Sequence, residues 1–209
     1  MTIWRGVALI PVADDIEAAV ALQERLARVH GTALEPALGP TGNLPHVTIY
    51  QGPMADTTDS AKILAEIKQE AGLDAPVHTD ATSIYHQPVG WIFLGLRTND
   101  RLRQLQDVTM AAVRQHIDHD AVDLSKDESE YTELERLSYR EHGYRYIGSA
   151  FKPHITLGHT DEVAAREIAA AGAEAAGERA WTFDRITFYV MGAAGAHSSI
   201  VAEESLARP

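Results

Sequence analysis

The sequence predicts an α+β protein in which one structural unit is used twice. Strand-like and helix-like segments follow the same order in both halves of the chain. A five-residue pattern also occurs once in each half, as Pro45-His46-Val47-Thr48-Ile49 and Pro153-His154-Ile155-Thr156-Leu157. Size fits one large domain or two intimately joined lobes: the chain has 209 residues, 45% of them hydrophobic and 23% charged.

Residues 3–12 form an apolar run that closes at proline and read as a buried strand. Asp14 and Asp15 suit the start of a helix to about residue 29, with Ile16, Ala19, Val20, Leu22 and Leu26 near helical spacing. A loop rich in Gly and Pro, 31–43, leads to the first motif strand at 46–50, closed by Gly52-Pro53. A second helix is expected over 59–71, stopped by Gly72. Residues 77–85 and 91–97 read as strands joined by Gln87-Pro88-Val89-Gly90, and Asn99 caps a helix to about residue 117. After an irregular stretch come the second motif strand at 155–158, an alanine-rich helix over 161–176, and closing strands at 181–191 and 198–203. The second copy is the longer one, and 119–147 is the expected insertion.

Composition narrows the function. Cysteine is absent, which excludes disulfides, thiolate catalysis and Cys-ligated zinc. The start, Met1-Thr2-Ile3-Trp4-Arg5, is unlike a signal peptide, and no apolar run approaches the ~20 residues that span a bilayer. A cytoplasmic protein without a membrane partner is expected. The net charge of −12 argues against a duplex-DNA partner, although a local pocket can still be positive. Between Asp118 and Glu135 eight carboxylates accompany Lys126 alone, most simply a solvated segment.

Alternate residues of a strand share a face, so His46, Thr48 and Tyr50 are expected to project together, as are His154 and Thr156. Val47, Ile49, Ile155 and Leu157 then anchor the opposite faces in the core. If the strands converge, two imidazoles and two hydroxyls meet. Imidazole, with an unperturbed pKa of ~6.5, accepts and donates protons around neutrality. The set suits in-line attack on a phosphodiester. One neutral histidine takes a proton from water or a ribose hydroxyl, the other returns one to the leaving oxygen, and the threonines hold the nonbridging oxygens. This scheme needs neither metal nor cofactor, and no carboxylate lies in or beside either motif. His-x-Thr alone is a weak signal, as His30-Gly31-Thr32 illustrates, but the full pattern at equivalent places of a repeat is far rarer. The plainer reading is of two strands whose histidines merely satisfy backbone carbonyls.

The motif pair resembles the 2H phosphoesterase superfamily. Lys152-Pro153-His154-Ile155-Thr156-Leu157-Gly158 is similar to the second motif of its bacterial 2′-5′ RNA ligase-like branch. Arg5-Gly6-Val7-Ala8-Leu9 and Trp91-Ile92-Phe93-Leu94-Gly95-Leu96 add to a resemblance that covers the chain apart from 119–147. It implies a bilobal, duplicated fold with pseudo-twofold symmetry, antiparallel sheets lining a central cleft and helices outside. Residues 1–209 would form one domain, with motif lobes around 46–50 and 154–158. It also implies a metal-independent phosphodiesterase acting on a cyclic 2′,3′-type or a 2′-5′ phosphodiester, with His46, His154, Thr48 and Thr156 as catalytic positions. The substrate would be a small nucleotide, a cyclic oligonucleotide or an RNA terminus, and the enzyme a monomer. His159 stands where that branch often carries arginine, which would make phosphate binding there weaker or pH-dependent. Run backwards, the same groups would join RNA ends. A nucleotide-binding module without turnover is the alternative of another class.

Other residues are candidates for substrate contact. Tyr50 lies on the motif face and could stack a base or pack in the core. Arg5 could reach a phosphate, although a surface strand arginine is the simpler reading. Tyr85 and His86 precede the hairpin turn and could line the cleft, while Tyr144 and Lys152 flank the second motif. The run Tyr139-Arg140-Glu141-His142-Gly143-Tyr144-Arg145-Tyr146 suits either a nucleobase and phosphate or tyrosines packed on the domain surface. His116, Asp118, His119 and Asp120 are potential metal ligands, but a solvated helix end is the favoured reading and no metal is expected.

Overall fold

The computed structural model describes residues 2–172 and 179–206. These form strands β1 (Thr2–Pro11), β2 (Val47–Ala55), β3 (Val77–His86), β4 (Trp91–Leu96), β5 (His154–His159), β6 (Ala180–Met191) and β7 (His197–Ser205). The helices are α1 (Ala13–His30), α2 (Ser60–Glu70), α3 (Asp100–Val113), α4 (Glu133–His142) and α5 (Glu162–Gly172). Part of the expected alanine-rich helix, 173–176, lies outside the described residues.

The mixed α+β class and the antiparallel sheet are as expected. Each copy of the repeat runs strand, helix, motif strand, helix, strand: β1-α1-β2-α2-β3, then β4-α3-β5-α5-β6, with α4 intervening before β5. The copies exchange strands. The third strand of each pairs with the first strand of the other, β3 with β4 and β6 with β1. With β1–β2, β4–β5 and β3–β6 the pairings run almost full circle, and β7 extends the sheet from β6. The circle closes at one bridge, Val47 opposite Ile155, between the motif strands. Neither half can therefore leave without breaking three ladders of backbone hydrogen bonds, β1–β6, β3–β4 and β3–β6, and the bridge between the motif strands.

Local chemistry sets the helix ends. The side chains of Asp59 and Asn99 accept from the backbone N–H groups of Lys62 and Leu102, and Gly31 closes α1 in the left-handed region. Asp15, buried near the start of α1, accepts from the backbone N–H of Thr182 at 2.8 Å and pairs with Arg179, tying that helix to β6. The helices pack on the apolar face of the sheet, where Leu22, Leu26, Leu64, Ile67, Leu105 and Ile168 share one core with Val47, Ile49, Ile155 and Leu157. Burial of such side chains is the main stabilising term.

The structure corrects several expectations. β2 does not stop at Gly52-Pro53 but continues to Ala55, with Pro53 opposite Trp4. A proline is tolerated because the other edge of β2 carries only isolated bridges, Val47 with Ile155 and Met54 with Ile117, so no second ladder needs its missing N–H. The stretch 119–147 is not simply irregular: it contains α4, begun by a Thr132/Glu135 capping box and ended by Gly143 with φ +72°. Nor is the acidic run wholly solvated. Glu128 is buried against Arg136 and Arg140, and Glu135 meets Arg145 at 2.9 Å. No described helix is long and apolar enough to cross a membrane.

Candidate active site

The two motif strands carry the same irregularity. Thr48 pairs with Ala8 and Tyr50 with Val7, leaving Ile49 as the extra residue of a bulge. On β5, Thr156 pairs with Phe93 and Gly158 with Ile92, leaving Leu157 extra. A bulge breaks the two-residue alternation, so Tyr50 does not follow Thr48 to the site. Tyr50 is fully buried in the core, where its hydroxyl donates to the carbonyl of His142 at 3.4 Å and burial pushes its pKa up.

The bridge between Val47 and Ile155 joins the motif strands, and both motif histidines, themselves buried, line one cavity of about 330 Å³. His46, Thr48, His154 and Thr156 all line it. The histidines are held alike. Nδ1 of His46 lies 2.8 Å from the carbonyl oxygen of Leu44, and Nδ1 of His154 lies 2.7 Å from that of Lys152. A carbonyl only accepts, so each Nδ1 carries the proton and each neutral ring leaves its Nε2 lone pair available. The carbonyl-satisfying histidine and the proton-transferring histidine are thus compatible, one per ring nitrogen.

Burial dominates the electrostatics. It lowers the His46 pKa, opposed by the bond to Leu44, and lowers that of His154 to about 4, with the neighbouring His46 adding to the effect. Both rings are neutral at pH 7. Around His154 stand Phe93 at 4.4 Å and Tyr146 at 5.2 Å between ring centroids. Around His46 stand Tyr189 at 5.4 Å and His197 at 5.3 Å. The phenols of Tyr144 and Tyr189 are buried, the latter pushed up to about 12 by burial, and the Tyr189 hydroxyl donates to Gln51 Oε1 at 3.4 Å.

Of the other candidates, Tyr144 lines the cavity. Lys152 and Tyr85 stand behind His154, the Lys152 ammonium lying 3.6 Å from the Tyr85 ring centroid and that ring 6.4 Å from His154. Burial lowers the Lys152 pKa and raises that of Tyr85. Three candidates lie elsewhere. Arg5 is neither on the surface nor in the cavity: it is buried, donates to the carbonyls of Asp56 and Thr58 and to Ser60 Oγ, and pairs with Asp56 at 3.5 Å. His159 gives Nε2 to the carbonyl of Val89 at 2.6 Å and meets the Trp91 ring at 5.0 Å, so it fastens the β3–β4 turn. His86 ends β3 opposite Ile92 and does not line the cavity. Among the described residues no three His, Asp or Glu side chains converge as a metal site, and Asp118 accepts instead from the Thr2 hydroxyl.

Several lining residues carry no motif. Trp4, Gln51 and Trp91 come from the strands, Gln87 from the β3–β4 turn, and Lys126, Tyr131, Tyr139, Arg145 and Tyr146 from the 119–147 segment. For Tyr144, Arg145 and Tyr146 the alternation of aromatic and basic residues was the available signal. Trp4 and Trp91 are strand residues whose facing depends on long-range register. His197 was signalled by nothing local.

No curated protein matches the chain by sequence. Among solved structures, Escherichia coli LigT, in a crystal structure complexed with NADP+, is similar at 13% identity and a TM-score of 0.49, over 100% of both chains. A crystal structure of a phosphoesterase is similar at 12% identity and 0.49, also over 100% of both chains. Kluyveromyces marxianus Usb1 follows at 12% and 0.48, over 95% of this chain and 96% of that one. The family model of the 2′-5′ RNA ligase superfamily matches residues 22–195, most of the chain, and the protein belongs to that superfamily.

Proposed function

We propose that the protein is a phosphodiesterase that opens a cyclic 2′,3′-type or cleaves a 2′-5′ phosphodiester in a small nucleotide or RNA terminus, using His46 and His154 as its acid–base pair without a metal. The observation that carries this reading is the matched anchoring of the two rings through Nδ1, which leaves two Nε2 atoms for one cavity. Burial keeps both rings neutral at pH 7. A phosphodiester anion brings negative charge next to them and favours protonation of one. The neutral ring then takes a proton from water as the water oxygen bonds to phosphorus. The protonated ring gives its proton to the ribose oxygen as the P–O bond breaks, leaving a phosphomonoester. Thr48 and Thr156 hold the nonbridging oxygens, where charge accumulates. The modest cavity and the net charge of −12 favour a small nucleotide over a long polyanion.

The test is turnover of nucleoside 2′,3′-cyclic phosphates and 2′-5′ dinucleotides in the presence of EDTA, with the products identified. Wild type is expected to release phosphomonoesters. His46→Gln and His154→Gln are each expected to lose roughly 10²–10⁴-fold in kcat. Binding without any product would leave a nucleotide-binding module instead, and joined product from RNA with matched ends would make the reaction a ligation.

A further inference from the structure

The 119–147 segment lays a ladder of alternating rings and cations along the cavity wall, leading away from His154. The His154 ring meets Tyr146 at 5.2 Å, Tyr146 meets the Arg145 guanidinium at 4.9 Å, and that guanidinium meets Tyr131 at 4.1 Å. Beyond it the Lys126 ammonium lies 6.0 Å from the Tyr131 ring centroid and 5.3 Å from that of Tyr139. All five of these residues, Lys126, Tyr131, Tyr139, Arg145 and Tyr146, line the same cavity as the motif histidines.

The charge distribution within the segment is uneven. Its carboxylates outnumber its lysine eight to one between Asp118 and Glu135, yet neither of the two that form close ion pairs, Glu128 and Glu135, lines the cavity. Glu128 pairs with Arg136 and Arg140, and Glu135 with Arg145. Lys126 has no carboxylate within 4 Å among the described residues. The one lysine of the acidic run therefore lines the cavity outside any close ion pair, with the Asp123 carboxylate near enough to feel its charge. A single phosphodiester at His46 and His154 would leave that charge and the rings beside it unused.

Resting on the phosphodiesterase reading above, we infer that the 119–147 ladder is a second anion subsite, which selects a nucleotide bearing another phosphate besides the one that reacts. Lys126 meets this second phosphate as a point charge. Tyr131 and Tyr139 give the intervening sugar or base a flat surface. Arg145, held by Glu135, keeps Tyr131 and Tyr146 in register and adds positive field. The second phosphate can be a terminal 5′-phosphate or the next internucleotide linkage, since both present the same anionic oxygens.

Calorimetric binding of three product-like probes separates these outcomes without requiring turnover: a nucleoside 3′-monophosphate, the 3′,5′-bisphosphate, and a dinucleotide ending in a 3′-phosphate. Wild type is expected to bind the bisphosphate or the dinucleotide about tenfold more tightly than the monophosphate. Preference for the bisphosphate identifies a terminal phosphate, and preference for the dinucleotide identifies an internal linkage. Lys126→Gln is expected to bring the ratio close to one, and Lys126→Arg to keep it. Equal affinities for all three probes in wild type, or a ratio unchanged in Lys126→Gln, would overturn the inference while leaving the phosphodiesterase reading intact. Absence of binding by any probe would overturn both.

Discussion

The ring of His197 lies 5.3 Å from that of His46, centroid to centroid, with the planes at 54°, and is stacked on Tyr189 at 4.3 Å. It is almost completely buried. Nε2 of His197 is 2.9 Å from Thr187 Oγ1, and its backbone N–H donates to Asn43 Oδ1 at 3.1 Å, in the loop that enters the first motif. Burial lowers the His197 pKa to about 3, so the ring is neutral, a wall behind His46 rather than a second charge. His154 is backed instead by Phe93.

His197→Ala removes that wall and leaves Thr187 Oγ1 with only its longer bond, to the Ala8 carbonyl at 3.5 Å. It is expected to cost about 1–3 kcal/mol in urea unfolding. It is also expected to lower kcat roughly tenfold, with a smaller change in KM, because His46 loses its fixed orientation. His197→Phe keeps the stacking and should recover most of kcat. Undiminished kcat in the alanine variant would show that His46 is positioned by its Leu44 bond alone.

Gly158 follows the second bulge with φ +124°, and a Cβ there would lie 2.9 Å from Leu34 Cβ and 3.1 Å from the Leu34 carbonyl carbon. Gly158→Ala is therefore expected to destabilise the protein by about 2–4 kcal/mol. Gly31, at φ +63°, has nothing within 4 Å of the same added atom, so Gly31→Ala should lose only about 1 kcal/mol. Equal losses in the two variants would show that backbone conformation, and not the Leu34 contact, decides the cost.

His154 also links stability to pH. Its pKa falls from 6.5 to about 4 on folding because burial disfavours the charged ring. Between these values the unfolded chain binds more protons, so stability falls as pH drops from 6.5 towards 4. The loss from this group approaches roughly 3 kcal/mol at the acid end. Urea midpoints at pH 7 and pH 5 should differ more in wild type than in His154→Gln. Identical pH slopes would mean that His154 stays accessible to protons in the folded state.

Binding should reverse the same shift. A phosphate anion beside His46 and His154 stabilises a protonated ring, so binding a nucleoside 3′-monophosphate at pH 7 should be accompanied by net proton uptake. Calorimetry in two buffers of different ionisation enthalpy measures this directly. The heats should differ in proportion to the buffers' enthalpies in wild type, and should differ less in either histidine variant. Equal heats in wild type would contradict the account of two neutral rings awaiting an anion.

The repeated element order and the two motifs were legible because they are local: periodicity, glycine and proline punctuation, and alternation of Val47, Thr48 and Ile49. The bulges were not legible. They arise where β2 meets β1 and β5 meets β4, and they redirect Tyr50 into the core despite its place in the motif strand. Arg5 reads as a surface strand arginine, but a turn some fifty residues later, Asp56 to Ser60, folds over it. His197 reaches His46 through the pairing of β6 with β7, Met191 opposite His197, a long-range register that no neighbouring residue announces. The Thr132-x-x-Glu135 box was a readable start signal for α4, obscured by the density of charge around it.

The central claim is that His46 and His154 act as one proton-transfer pair, and a double-mutant cycle on a single 2′,3′-cyclic nucleotide tests it most directly. Residues that work as a unit are strongly non-additive. The account predicts that His46→Gln, His154→Gln and the double variant all fall to nearly the same residual kcat. Losses that multiply in the double variant, or a single variant that retains wild-type turnover, would contradict it.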